Sequence, residues 1–270
     1  MRYNPQTMKT AANGITTQYE LEGPPSAPIV TLSHSLAANL HLWDAQAAAL
    51  KDRYRVLRYD IRGHGGSDVP SAPYTLEQMA DDLHGLLRAL GIAETHFVGL
   101  SMGGLIGMTV ALKHPRSIRS LVLADTTACY GPERKPMWDD RIRVAESTGI
   151  EGVLDRTMEA WFTPSFRGAR PDVIARIRAM LAPTDPAGYV GAIQAIGYGD
   201  MRADIRAIRC PTLILVGEED RGTDITMARA MYERIAGSEL TVIPKAAHCS
   251  CVEAAEEFNR AVRGFLARVR

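Results

Sequence analysis

A serine hydroxyl, an imidazole and a carboxylate, drawn together from distant parts of one chain, can act as a nucleophile, its base and the group that orients that base. The serine candidate lies in V-G-L-S-M-G-G, residues 98–104, where Gly99 and Gly103 stand two residues either side of Ser101 and Gly104 follows. The imidazole candidate is His248, in A-A-H-C-S-C-V-E at 246–253. Asp220, at the end of L-I-L-V-G-E-E-D (213–220), is the preferred carboxylate; Glu218 and Glu219 beside it are alternatives, and Asp125, at the end of L-V-L-A-D, is another. A serine hydroxyl is a weak nucleophile without such a base. The chain order serine, acid, histidine is one in which the three are known to meet.

The surrounding elements must place these groups. T-H-F-V-G-L reads as a strand and G-L-I-G-M-T-V as the start of a helix, so Ser101 falls on the turn between them. That turn is tight, and glycine at 99 and 103 relieves the crowding. It would push the hydroxyl into a cleft at the carboxyl end of the sheet, where the helix start also aims its N–H groups. His248 follows the last expected strand, on a loop beyond the sheet edge. Charge developing on a substrate oxygen needs backbone donors. The Met102 N–H is one, and the Leu36 N–H, on the loop of I-V-T-L-S-H-S-L-A-A-N (29–39), is the other. His34 is read as fixing this loop rather than moving protons. His41 and Trp43 either line the cleft and touch substrate or pack the next helix.

Apolar runs bounded by turn residues predict strands near 15–22, 28–33, 54–60, 96–100, 119–125, 212–217 and 239–243. Helical patterns separate several of them. In 75–90, Leu76, Met79, Leu83, Leu86 and Leu87 share one face, with Thr75 as N-cap and Gly91 as stop. Further helices are expected at 104–114 and 253–269. Strands alternating with helices imply an α/β fold with a mostly parallel central sheet flanked by helices. The alternation stops between 128 and 209, where 137–147, 150–162, 171–182 and 186–197 read as helices punctuated by prolines. The expected organisation is therefore a core of 1–127 and 210–270 with a helical cap at 128–209.

Composition narrows the classes of partner. The chain has 270 residues, 46% hydrophobic, enough for one large α/β domain with an insertion or for two smaller domains. Its 31 basic and 31 acidic residues cancel, which disfavours nucleic acid or an anionic membrane as the main partner. The first ten residues lack the apolar core of a secretory signal, and no apolar run reaches the roughly 18 residues of a membrane helix. Cys129, Cys210, Cys249 and Cys251 form no C-x-x-C pair or zinc-finger spacing, so free thiols in the cytoplasm are expected. The chemistry sketched above requires no metal or organic cofactor.

Together, H-S-L-A (34–37), R-Y-D-I-R-G-H-G-G-S (58–67), G-L-S-M-G-G (99–104), G-E-E-D (217–220) and A-H-C-S-C-V-E (247–253) make the chain resemble the α/β-hydrolase family. The resemblance runs from about residue 14 to 267. It implies Ser101 as nucleophile, Asp220 as acid, His248 as base, and Leu36 and Met102 as oxyanion donors. The D-x-R-G-x-G-x-S stretch, with Arg62 and His64, is read as a structural turn. Adding L-H-L-W-D, W-F-T-P-S-F (161–166) and E-E-F-N-R-A-V (256–262), the chain is similar to the 3-oxoadipate enol-lactonases of bacterial aromatic catabolism, which open a carboxylate-bearing enol-lactone. Ala37 stands where that pattern prefers glycine, two cysteines closely follow the histidine in K-A-A-H-C-S-C, and R-G-T-D-I-T-M (221–227) lacks the usual proline-rich turn. A carboxylate-bearing substrate needs a cation, for which Arg134 and Lys135 are candidates; Trp138 and Trp161 either wall the ligand or pack the cap. The expected partner is thus a small ester or lactone. Competing readings are a broad carboxylesterase, a carbon–carbon bond hydrolase of ring-cleavage products, and a ligand receptor built on a hydrolase fold.

Overall fold

The apolar runs do become strands in the computed structural model, which describes residues 7–269; the first six residues of the stretch read for a secretory signal lie outside it. In chain order the strands are β1 (Met8–Ala12), β2 (Ile15–Glu22), β3 (Ile29–Ser33), β4 (Arg55–Tyr59), β5 (Thr95–Leu100), β6 (Ile118–Ala124), β7 (Thr212–Gly217) and β8 (Glu239–Ile243). The helices are α1 (Asp44–Leu50), α2 (Leu76–Ala89), α3 (Met102–Lys113), α4 (Lys135–Thr148), α5 (Glu151–Trp161), α6 (Pro164–Ala169), α7 (Pro171–Leu181), α8 (Pro186–Ile196), α9 (Ile225–Tyr232), α10 (Ser250–Glu253) and α11 (Ala255–Leu266).

The sheet order is β1-β2-β4-β3-β5-β6-β7-β8. β1 and β2 form an antiparallel hairpin, and β2 is antiparallel to β4. From β4 to β8 every pairing is parallel. β5 and β7 are buried at every position, as strands covered on both faces must be. The parallel register sends the chain out of β3, β5, β6, β7 and β8 at one edge of the sheet. The residues singled out by chemistry leave the sheet there.

Local rules explain several boundaries. Thr75 caps α2 through a reciprocal box: its hydroxyl accepts from the Gln78 N–H at 3.1 Å while the Gln78 side chain accepts from the Thr75 N–H at 3.0 Å. Pro164, Pro171 and Pro186 open α6, α7 and α8, where a missing N–H removes no helical bond. Asp60 organises the turn read as structural. It accepts from the N–H groups of Leu40 and Gly66 and from the Gln18 amide, while Arg62 makes a two-pronged pair with Asp82.

Some expectations need correcting. β1 was not anticipated, because M-K-T-A-A lies half-buried at a sheet edge and carries little apolar signal. α3 begins at Met102, not 104. The expected helix at 253–269 is two helices broken at Ala254, whose φ of −125° and ψ of 52° lie outside the helical region and end α10 before α11 starts. α1, α6 and α9 have six to eight residues each, too short for a 3.6 period to stand out.

α8 is seated on the loop after β4 by backbone touching backbone. A Cβ on Gly188 would lie 2.1 Å from the Gly63 carbonyl oxygen, and one on Gly63 would lie 2.8 Å from the Gly188 Cα. Gly63 also holds a φ of +78°, which side chains rarely adopt. Among the described residues no helix is long and apolar enough to cross a membrane, and the four cysteines are free thiols.

Candidate active site

Ser101 stands between β5 and α3 with φ +54° and ψ −112°, a conformation costly for any residue with a Cβ. Its neighbours explain how the turn survives. A Cβ on Gly99 would lie 2.3 Å from the Gly103 carbonyl oxygen, and one on Gly103 would lie 2.1 Å from the Ser33 carbonyl oxygen. The turn is held further by the Ser101 N–H, which donates to the Ala124 carbonyl at 2.9 Å, and by the Thr126 hydroxyl, which donates to the Ser101 carbonyl at 2.7 Å.

Asp220 leaves β7 and is the carboxylate that meets His248: its Oδ2 lies 2.9 Å from His248 Nδ1. The remaining acceptor capacity of Asp220 is filled by the N–H groups of Gly222 and Thr223 and by the Thr223 hydroxyl. Burial opposes its charge, but the His248 ring and these donors prevail and hold the carboxyl down at about 2. Burial likewise opposes charge on His248. The charge and hydrogen bond of Asp220 outweigh it, with help from Asp125 and against Arg141, so its pKa is raised. With Nδ1 engaged, Nε2 is the ring nitrogen left to face a reacting group.

Asp125 is fully buried at the end of β6 but does not bond the imidazole. It accepts from the Gly217 N–H at 2.7 Å and from the Ser250 hydroxyl at 2.5 Å, bracing the strand and the loop that carry Asp220 and His248. Burial and the nearby Asp220 charge raise its pKa.

Ser101 and His248 line one cavity of about 420 Å³. Leu36 and Ala37 line it from the β3 side, where Ala37 adopts φ +63° and its carbonyl accepts from Thr184 at 2.7 Å. The Leu36 and Met102 N–H groups donate to no backbone acceptor among the described residues. His34 fixes this loop. Its Nδ1 pairs with the Ser35 carbonyl at 2.8 Å and its Nε2 accepts from the Ile61 N–H at 3.0 Å, while burial lowers its pKa to about 4.

The expected substrate residues divide. Arg134, Trp138 and Trp161 line the cavity. His41 and Trp43 do not: His41 points to solvent and pairs with Asp44, whereas Trp43 is fully buried 6.1 Å from the Phe258 ring, packing the core. Lys135 is also outside, paired with Asp139 at 2.6 Å. Sequence reasoning missed Arg141, Arg167, Tyr130, Phe162 and Tyr189 on the cavity wall. A signal for Arg141 existed: positions 134, 137, 138 and 141 follow i, i+3, i+4, i+7 spacing and all four line the cavity. Arg134, Arg141, Arg167 and Arg221 face the cavity without a carboxylate partner among the described residues; Glu159 and Glu219 are the acidic members of the lining. The Arg167 Nε is buried and without a hydrogen-bond partner.

Glu253 ties the cavity wall to the His248 loop. Its carboxylate accepts from the Thr163 N–H at 3.1 Å, the Thr163 hydroxyl at 2.5 Å and the Ala247 N–H at 2.9 Å. The Cys249 N–H donates to the Trp161 carbonyl at 2.9 Å beside it.

The alpha/beta hydrolase fold family matches residues 28–255. The chain is 32% identical over 257 residues to 3-oxoadipate enol-lactonase 2 of Acinetobacter baylyi, covering 95% of each. Among solved structures, the enol-lactonase of Burkholderia xenovorans LB400 superposes with a TM-score of 0.93 at 37% identity, over 97% of this chain and all of that one. A thermophilic esterase from Thermogutta terrifontis, with malate bound, matches at TM-score 0.90 and 32% identity, over 98% of this chain and 99% of that one.

Proposed function

The chain belongs to the alpha/beta hydrolase family, and from that premise we propose that it is a serine hydrolase that opens a small carboxylate-bearing lactone, 3-oxoadipate enol-lactone before others. The observation that carries this reading is a cavity that holds Ser101, an Asp220-braced His248 and four guanidiniums with no carboxylate partner among the described residues. Half-buried guanidiniums at 134, 141 and 167, with the Arg167 Nε buried and unpartnered, suit an anion. Likeness to two enol-lactonases supports the lactone, and the malate held by the similar esterase is a carboxylate ligand.

On this reading His248 Nε2 takes the Ser101 proton as the hydroxyl attacks the lactone carbonyl. The Leu36 and Met102 N–H groups hold the oxyanion; losing one such donor costs about 3–4 kcal/mol of barrier. The ring oxygen departs with the proton from His248 but remains tethered within the acyl-enzyme. Water activated by His248 then releases the acid. Asp220 keeps Nδ1 protonated and offsets the imidazolium charge. Arg141 and Arg167, with Arg134 at the rim, take the substrate carboxylate, and residues 128–209 act as the cap that encloses it.

Steady-state kinetics on synthetic 3-oxoadipate enol-lactone, p-nitrophenyl acetate and a vinylogous diketone test the reading, with the lactone expected to give the highest kcat/KM. A preference for the diketone would reassign the protein to carbon–carbon cleavage, and a single turnover with tight binding would make it a receptor. Ser101→Ala should abolish turnover of all three while the fold persists; a variant keeping more than half the rate rejects Ser101 as nucleophile.

A further inference from the structure

The mechanism above leaves Tyr130 without a task, although it stands beside the nucleophile. Its ring is buried on the cavity wall, edge-on to Trp138 with centroids 5.0 Å apart. The loop that carries it is pinned. The Thr127 hydroxyl accepts from the Cys129 N–H at 3.1 Å and donates to the Cys129 carbonyl at 2.8 Å, the Met201 N–H donates to the Ala128 carbonyl at 2.9 Å, and Cys129 bridges to Asp200. The phenol and the Ser101 side chain line the same cavity, near enough for the serine to act on the phenol's titration. Burial pushes the phenol up to about 12, a rise that the neighbouring Ser101 only partly offsets, so the O–H is retained at neutral pH.

The strand order sets the direction of approach. β3 and β6 flank β5 on opposite sides. Leu36 follows β3 and Tyr130 follows β6, so the loop bearing the amide and the loop bearing the phenol reach Ser101 from opposite sides. In a tetrahedral intermediate the serine oxygen, the oxyanion and the leaving oxygen share one carbon. A donor that faces the serine across the cavity from the β6 side therefore lies on the side open to the leaving oxygen after attack, while the oxyanion belongs to the amides on the far side.

Resting on the reading of Ser101 as nucleophile, we propose that Tyr130 is a further catalytic residue whose hydroxyl donates a hydrogen bond to the leaving oxygen as the acyl–oxygen bond breaks. The balance is simple. The Ser101 Oγ–carbon bond forms, the carbon–oxygen bond to the leaving group breaks, and its electron pair stays on that oxygen. His248 Nε2 supplies the proton, and Tyr130 keeps its own throughout. Such a bond strengthens with the charge that accumulates on the departing oxygen, so it favours basic leaving groups: aliphatic alkoxides and enolates over activated phenolates.

Tyr130→Phe keeps the ring against Trp138 and removes only the donor. Its kcat/KM, which reports acylation, is to be measured on 4-nitrophenyl, phenyl, trifluoroethyl and ethyl acetates. The loss should grow along that series, from little for the nitrophenyl ester to about 10- to 100-fold for the ethyl ester. A loss that does not grow with the basicity of the leaving group, whether uniform or absent, overturns the proposal. Ser101→Ala run on the same esters tests the underlying reading separately: if it keeps turnover, that reading falls whatever Tyr130→Phe does.

Discussion

Removing the charge of Arg141 asks whether the cavity reads a carboxylate. Arg141 lies over the Trp138 ring at 5.7 Å, and its Nη1 reaches the Tyr189 hydroxyl at 3.4 Å. Arg141→Gln strands no carboxylate, so the empty protein should lose little stability. Against a substrate carboxylate about 4 Å away, the guanidinium contributes roughly 4 kcal/mol of Coulomb energy at an effective dielectric of about 20. Stripping water from both groups consumes much of that, and hydrogen bonds to charged groups contribute about 1.5–3 kcal/mol net. The smaller range governs. The expected loss in kcat/KM is about 10- to 100-fold, expressed mainly in KM. The assay compares 4-nitrophenyl hydrogen adipate with its methyl ester, which has the same chain and no charge. Only the acid should suffer, and high salt should shrink the difference between the two. Rates belong on the alkaline plateau, because Arg141 lowers the proton affinity of His248 and its removal moves the acid limb to higher pH. An equal fall for acid and ester, or no fall for the acid even in the Arg141→Gln, Arg167→Gln double variant, would refute the argument.

If Asp220 is the orienting acid, Asp220→Asn should cut kcat about 10³- to 10⁴-fold, as loss of that carboxylate does in serine–histidine–aspartate triads. Asp220 raises the His248 pKa and the imidazole works as base only when neutral, so the variant's acid limb should move to lower pH; collapse with Asp125→Asn alone would show that the acid was misassigned. Stability should fall on acidification for a different reason. Burial holds His34 at about 4 and His64 at about 3, against 6.5 for an exposed ring, so below that value the unfolded chain takes up protons that the fold refuses. Their contribution is full above pH 6.5 and drains as pH falls, by about 2 kcal/mol for each ring at pH 5. Denaturant midpoints that coincide at pH 7 and pH 5 would contradict this.

Much of the fold and the candidate set of Ser101, Asp220 and His248 were legible because each carried a local cause. Glycines 99 and 103 mark a turn that tolerates no side chains, and continuous apolar runs mark strands covered on both faces. The short helices and β1 were not, since six to eight residues, or a half-exposed edge, leave too little pattern. The cavity wall was harder still. Arg141 and Arg167 look like any charge on an exposed helix until the packing of α4 to α8 decides which face is enclosed. His41 and Trp43 were drawn towards the cleft by closeness in sequence to Leu36, whereas the 3-10 turn at Leu40–Trp43 directs them to solvent and to the core. Tyr130 sits on an irregular loop, where no period exists to reveal it.

The seat of α8 on Gly63 couples a contact outside the cavity to one of the cavity's walls. With only the bare main chain of Gly188 between helix and loop, a single added methyl would act as a wedge, levering α8 outward together with Tyr189, a residue of the cavity wall. The position of that wall residue is thus tied to a contact between Gly63 and Gly188, neither of which lines the cavity. Gly188→Ala should therefore change the relative kcat/KM for short and long acyl esters, a shift that the same steady-state assays would read.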